Sequence, residues 1–133
     1  MTNKETIQAF INHINAHDVE GLAELMSEDH TTFVDAHGNR IEGREMMIVG
    51  WRAYFEMFPD YRIGVNEIFE QGETFAMFGY AAGSFKGKAE ASWRLPAAWK
   101  AIVKDGRVAL WQVFADTKIP FESMSEPSAI AGG

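Results

Sequence analysis

Two aspartates and a histidine are the side chains of this 133-residue chain best suited to move protons. Asp35 and His37 follow Phe33 with one residue between each, and Asp116 closes the run Trp111-Gln-Val-Phe-Ala-Asp116. Successive side chains of a strand alternate between its two faces. In a strand beginning near residue 30, Thr31, Phe33, Asp35 and His37 therefore share one face. In the last strand Val108, Leu110, Gln112, Phe114 and Asp116 share another, and Trp93, Leu95, Ala97, Trp99 and Ala101 form a third row without charge. With these rows on the concave side of one sheet, both carboxylates sit among aromatic rings. Loss of solvation there raises a carboxyl pKa towards acid/base duty. The competing reading has Asp35 and Asp116 at strand ends, bonded to turn amides or facing water, as most aspartates are. His37 is an auxiliary proton carrier at the cavity mouth, or a turn histidine beside Gly38.

Other chemistries are excluded or weakly supported. Without cysteine there is no disulfide, thiolate nucleophile or Cys-based zinc site. A net charge of −7 opposes nucleic acid and anionic lipid as partners. No charge-free stretch approaches the roughly 18 apolar residues of a membrane span. The polar, acidic start lacks the features of an export signal, so a cytoplasmic location is expected. His13 and His17 have the spacing of a helical metal pair, but Ile14 stands where a zinc protease has glutamate, and they read as helix surface; no metal and no cofactor is expected. Gly87-Lys88 is followed by Ala89 rather than the Ser or Thr of a phosphate loop, and no G-x-S-x-G run occurs.

The elements that must position these groups are legible in the periodicity. Ile7, Phe10, Ile11 and Ile14 predict a helix over 3–16, and Asp18 caps a second one carrying Val19, Leu22, Leu25 and Met26. Residues 30–37 read as a strand closed by the turn His37-Gly38-Asn39. Residues 44–58 return to helix, with Met47, Trp51, Tyr54 and Phe58 on its inner stripe and Pro59 as its stop. Strands follow over 61–70, 74–85, 90–103 and 107–117, separated by Gln71-Gly72, Lys86-Gly87 and Asp105-Gly106. Asp-Gly is the signature of a type I′ hairpin turn. The order α-α-β-α-β-β-β-β predicts an α+β fold with a curved antiparallel sheet wrapped around the helices. One domain over 1–121 and a flexible tail over 122–133 complete the expectation.

Residues 7–30, then Phe33-Val-Asp-Ala-His-Gly38, Ile41-Glu-Gly-Arg-Glu45 and Trp111 to Asp116 resemble SnoaL-like and ketosteroid-isomerase-like proteins of the nuclear transport factor 2 superfamily. The resemblance covers roughly residues 5–120 and implies that superfamily's cone-shaped fold. It places Asp35 at the general-base position of ketosteroid isomerases, and Asp116 at a carboxylate position used by SnoaL-like cyclases and limonene epoxide hydrolases. The tyrosine and aspartic acid that stabilise the isomerase enolate correspond to Phe10 and Trp99, which argues against that mechanism. Arg94-Leu-Pro96 lacks the Arg-x-Asp part of the epoxide hydrolase relay, and no strand after His37 carries a histidine for a scytalone-type dehydratase. The resemblance further implies a homodimer through the outer sheet face.

The resulting expectation is a protein that binds a small hydrophobic ligand and performs acid/base isomerisation or cyclisation of a carbonyl compound. Asp35, Asp116 and His37 are its catalytic candidates. Phe10, Phe33, Trp51, Tyr54, Phe58, Trp93, Trp99, Gln112 and Phe114 are its pocket walls. A non-catalytic ligand-binding or protein-association module is the alternative, and many chemistries share such scaffolds.

Overall fold

The computed structural model describes residues 1–28 and 31–124. Helix α1, Asn3–Ala16, starts at a capping box in which Thr2 Oγ1 accepts from the Glu5 amide at 3.1 Å and Glu5 Oε1 accepts from the Thr2 amide at 2.9 Å. It stops where His17 adopts a left-handed conformation, φ 55°. Helix α2, Val19–Leu25, is capped by Asp18, whose carboxylate accepts from the Gly21 amide at 3.0 Å. Helix α3, Arg44–Met57, ends just before Pro59. Ile7, Phe10, Ile14, Leu22 and Met47 are all buried, so each helix turns its apolar stripe to one core.

Six strands form one sheet: β1 Thr32–Val34, β2 Arg40–Glu42, β3 Arg62–Gln71, β4 Thr74–Ser84, β5 Ser92–Lys104 and β6 Arg107–Ala115, in the spatial order β2-β1-β6-β5-β4-β3. The predicted α+β architecture, helices packed on one face of a curved sheet, is what forms. Gly72 and the pair Asp105-Gly106 take positive φ at the β3–β4 and β5–β6 turns, as hairpins with these residues require. The Lys86-Gly87 link is longer than a tight hairpin, because two 3-10 turns over 85–91 join β4 to β5.

Four local departures matter. The first strand is only three residues long, because Asp35 leaves the ladder to begin a turn in which its amide donates to the Asn39 carbonyl and its carbonyl accepts from the Gly38 amide. The chain returns as β2, unpredicted, antiparallel to β1. β1 lies parallel to β6, so the sheet is mixed rather than wholly antiparallel. Finally, a fourth helix, α4 Lys118–Ser123, follows directly on what reads as strand, 107–117, and runs into the start of what reads as tail. Residues 125–133 of the expected tail lie outside the described residues.

Strand β3 is a sheet edge, and its first residues are tied to α1 instead of to another strand. Asn15 donates from Nδ2 to the Ile63 carbonyl at 3.0 Å and accepts from the Ile63 amide at 2.8 Å. A side-chain amide thus supplies the donor and acceptor that a neighbouring strand would. His17 Nε2 lies 2.7 Å from the Tyr61 carbonyl oxygen, and its ring stacks on Phe55 at 4.2 Å. The histidine read as helix surface therefore joins α1, α3 and the start of β3.

Candidate functional site

The inner face of the sheet divides into a packed part and a hollow part. Beneath α1, Phe10 meets Trp111 at 4.9 Å between ring centroids and Trp99 meets Trp111 at 6.4 Å. All three are essentially inaccessible, and none lines the cavity at the other end of the sheet. Phe10 and Trp99, expected as pocket walls, are instead the solid core that closes the base of the sheet.

At the other end, between α3, β1, β4, β5, β6 and α4, lies a cavity of about 400 Å³. Its space comes from small residues, Ala36, Gly50, Ala81 and Ala115, set among large ones. The large ones touch edge to face: Phe33–Trp51 at 5.8 Å, Tyr54–Tyr61 at 4.8 Å and Phe58–Trp93 at 5.4 Å. Phe33, Trp51, Tyr54, Phe58 and Trp93 line it, and so do Asp35 and His37. Met47, Phe58, Tyr61, Ala81 and Trp93 are buried, whereas His37, Met57 and Phe121 are exposed, which sets the closed and open ends.

Asp35 and His37 stand at the open end. Asp35 Oδ1 accepts from the His37 amide at 2.8 Å and the Asn39 amide at 2.9 Å, and Oδ2 accepts from Asn39 Nδ2 at 3.0 Å. Partial burial pushes the carboxyl pKa up, but these donors from Asn39 and His37 outweigh it and hold it below the ordinary value. Asp35 is thus an ionised staple of the β1–β2 turn. The His37 ring reaches across the opening, with Nε2 2.7 Å from Thr117 Oγ1 and the Phe121 ring edge-on at 5.2 Å.

Asp116, Phe114 and Gln112 do not join this group. β6 carries a bulge: Val103 pairs with Val108 and Ile102 with Leu110, leaving Ala109 as an extra residue. An inserted residue reverses the alternation beyond it. Trp111, Val113 and Ala115 therefore turn inward, and Leu110, Gln112, Phe114 and Asp116 turn out. Phe114 is 49% exposed. The Asp116 carboxylate accepts from the Lys118 amide at 3.0 Å and steadies the first turn of α4.

Tyr61, Leu95, Val113, Thr117 and the α4 residues Pro120 and Phe121 complete the wall. The two-residue step from Tyr61 to buried Ile63 is a signal for Tyr61. Burial raises the phenol pKa of Tyr54, partly offset by the Tyr61 hydroxyl; burial raises that of Tyr61 further, reinforced by Tyr54. Both phenols are therefore neutral at physiological pH. No cluster of three or more His, Asp or Glu suited to a metal occurs among the described residues, and no described helix is long and apolar enough to cross a membrane.

A curved six-strand sheet lined by helices, with a hollow aromatic end, defines an α+β scaffold with an interior cavity. The chain belongs to the SnoaL-like domain family, which it matches over residues 7–111. No curated protein matches it. Among solved structures it is similar to a protein from Jannaschia sp. CCS1 proposed to be a SnoaL-like polyketide cyclase (19% identity, 94% of this chain and 92% of that one, TM-score 0.79). It is also similar to a protein of ketosteroid isomerase-like fold from Catenulispora acidiphila, solved with trimethylamine (17%, 94% and 95%, TM-score 0.80). A third is an epoxide hydrolase of the limonene type from M. tuberculosis (16%, 92% and 88%, TM-score 0.77). At these identities the likeness establishes the fold, which is NTF2-like, and leaves the chemistry to the site.

Proposed function

We propose that the protein binds a small, mainly apolar molecule in the α3–sheet cavity and that His37 is the group positioned to exchange a proton with it. The observation that carries the reading is the cavity itself: about 400 Å³, walled by aromatic and small aliphatic side chains, with Asp35 and His37 at its open end. Pockets of this size and lining take compact ring systems. Asp35 has both oxygens engaged and a lowered pKa, which makes it a weak base. In this reading it orients the turn that carries His37, while the His37 imidazole performs acid/base chemistry on a carbonyl compound.

The non-catalytic alternative draws on the outward position of Asp116 and the engaged state of Asp35. One experiment separates the two. The protein is incubated with trans-1-decalone in D2O, and exchange of the protons beside the carbonyl is followed by NMR. Exchange faster than in buffer, reduced about 100-fold in His37→Gln, supports acid/base catalysis. Binding without faster exchange supports the passive module, and no binding removes the cavity reading altogether.

A homodimer through the outer sheet face is part of the proposal. Phe78, Ala98 and Phe114 are paired side by side across β4, β5 and β6. Phe69 packs against Phe78 at 6.0 Å, and Phe69, Phe78 and Phe114 are all exposed. A contiguous aromatic row on a sheet face is the kind of surface that a second copy covers.

A further inference from the structure

Gly50 stands in the middle of α3, where glycine is less favourable than any residue but proline. Nothing in the local fold requires it there. Its backbone is helical, without the left-handed conformation that reserves a position for glycine. Beyond its own helix backbone, a Cβ added at Gly50 would have one neighbour within 4 Å, Ile41 Cδ1 at 3.6 Å, which is an ordinary van der Waals contact. Every other described glycine either takes a positive φ or would bring a Cβ to 3.3 Å or less of a neighbouring atom. Alanine would therefore fit at position 50 and strengthen the helix.

The side of α3 that carries Gly50 shows what uses the space. Met47, Gly50, Trp51, Tyr54, Met57 and Phe58 line the cavity, at i, i+3, i+4, i+7, i+10 and i+11. That spacing is one helix face, so a side chain at position 50 would project from the same stripe as Trp51 and Tyr54. Ile41 of β2, the residue it would touch, is itself part of the cavity wall. Ala81 and Ala115 leave corresponding room on the sheet side. The missing side chain is therefore cavity volume, obtained at a cost in helix stability.

We infer that Gly50 is a size-determining residue: it keeps the α3–β2 side of the cavity open for a second ring, so that the site takes fused two-ring ketones, and a side chain at position 50 would confine it to single rings. This rests on the reading of the cavity as a site for a small carbonyl compound. It adds the size of the ligand and the residue that sets it. Gly50 acts through space alone and takes part in no bond making or breaking.

The test titrates trans-1-decalone and cyclohexanone, a two-ring and a one-ring ketone, into the wild type, Gly50→Ala and Gly50→Leu, followed by NMR. The thermal midpoint of each ligand-free protein is measured alongside. Gly50→Leu should bind decalone at least about tenfold more weakly than the wild type and cyclohexanone within about threefold of it. Gly50→Ala should lose about threefold for decalone alone and melt about 3 °C higher than the wild type. Should Gly50→Leu fail to fold, Gly50→Ala carries the same comparison. Unchanged decalone affinity in the variants, or equal losses for the two ketones, overturns the inference and leaves the cavity reading intact. A Gly50→Ala protein that melts below the wild type also overturns it, since the fold would then need the glycine. Failure of the wild type to bind either ketone sinks both.

Discussion

His37 Nε2 and Thr117 Oγ1 lie 2.7 Å apart and tie the β1–β2 turn to the start of α4 across the open end of the cavity. Two segments distant in sequence thus meet over the opening, with Phe121 from α4 packed edge-on against the same imidazole. The contact makes α4 part of the site, because its residues Pro120 and Phe121 are cavity wall.

Thr117→Val keeps the shape of the side chain and removes its hydroxyl. A single exposed hydrogen bond is worth about 1 kcal/mol or less, so the fold should survive with a small loss in global stability. The local effect should be larger. Amide exchange at Phe121 and Met124, whose N–H groups close the turns of α4, should accelerate several-fold while β5 amides stay protected. Unchanged exchange in α4 would show that the His37 contact does not hold it.

Asp35 yields a prediction with a defined pH sign. Its folded-state pKa lies below the ordinary 3.8. The stability it contributes is therefore fully present above the unfolded value and is lost as pH falls through the folded one. Asp35→Asn should cost about 1 kcal/mol at pH 7, the low end for bonds to a charged acceptor because these are exposed. At pH 3 the gap between variant and wild type should narrow. Asp60, whose carboxylate is similarly lowered by the amide and hydroxyl of Ser84 against its own partial burial, is unchanged in both proteins and cancels. Urea titrations at the two pH values measure the gap, and one that is independent of pH would mean that the carboxylate charge is irrelevant to the turn.

Much of this architecture is legible in the sequence, for reasons specific to its residues. The helices follow from strong periodicity and side-chain caps, and β5 alternates without interruption from Trp93 to Val103, so its inward row is legible in the sequence. Phe33, Asp35 and His37 meet at the cavity for a reason other than strand alternation, since the tight turn that Asp35 begins keeps His37 at the opening. What was illegible depended on tertiary pairing. Nothing in the string Arg107-Val-Ala-Leu-Trp111 marks which residue will be extra, since a bulge reflects the register of two strands rather than the propensity of one. The division between solid core and cavity was hidden for a similar reason. Phe10 and Trp99 are as aromatic as Trp51 and Trp93, and only the placement of Ala36, Gly50, Ala81 and Ala115 opposite them decides which rings border empty space.

The outer sheet face is the subject of a third prediction. If Phe78, Ala98 and Phe114 are covered by a second copy, Phe78→Lys or Phe114→Lys places two like charges near the symmetry axis and removes apolar contact. Sedimentation should then show a dimer for the wild type at micromolar concentration and a monomer for each variant, with circular dichroism unchanged. A wild type that sediments as a monomer throughout that range refutes the proposed interface.

The bulge at Ala109 permits the sharpest test of how β6 builds the site. Val108 and Trp111 both face inward although they are three residues apart, because Ala109 is extra between the pairs Val103–Val108 and Ile102–Leu110. Deleting Ala109 leaves Val108, Leu110 and Trp111 in plain alternation, so Trp111, Val113 and Ala115 should keep facing inward. Deleting Gln112, where no residue is extra, would instead turn Val113 and Ala115 out and Phe114 and Asp116 in, adding the cost of a buried, unpaired carboxylate. The Ala109 deletion should therefore cost no more than about 2 kcal/mol and keep decalone binding, whereas the Gln112 deletion should cost about 3 kcal/mol or more and abolish it, both measured by denaturant unfolding and calorimetry. Equal losses in the two variants would show that the inward face of β6 is set by something other than this bulge.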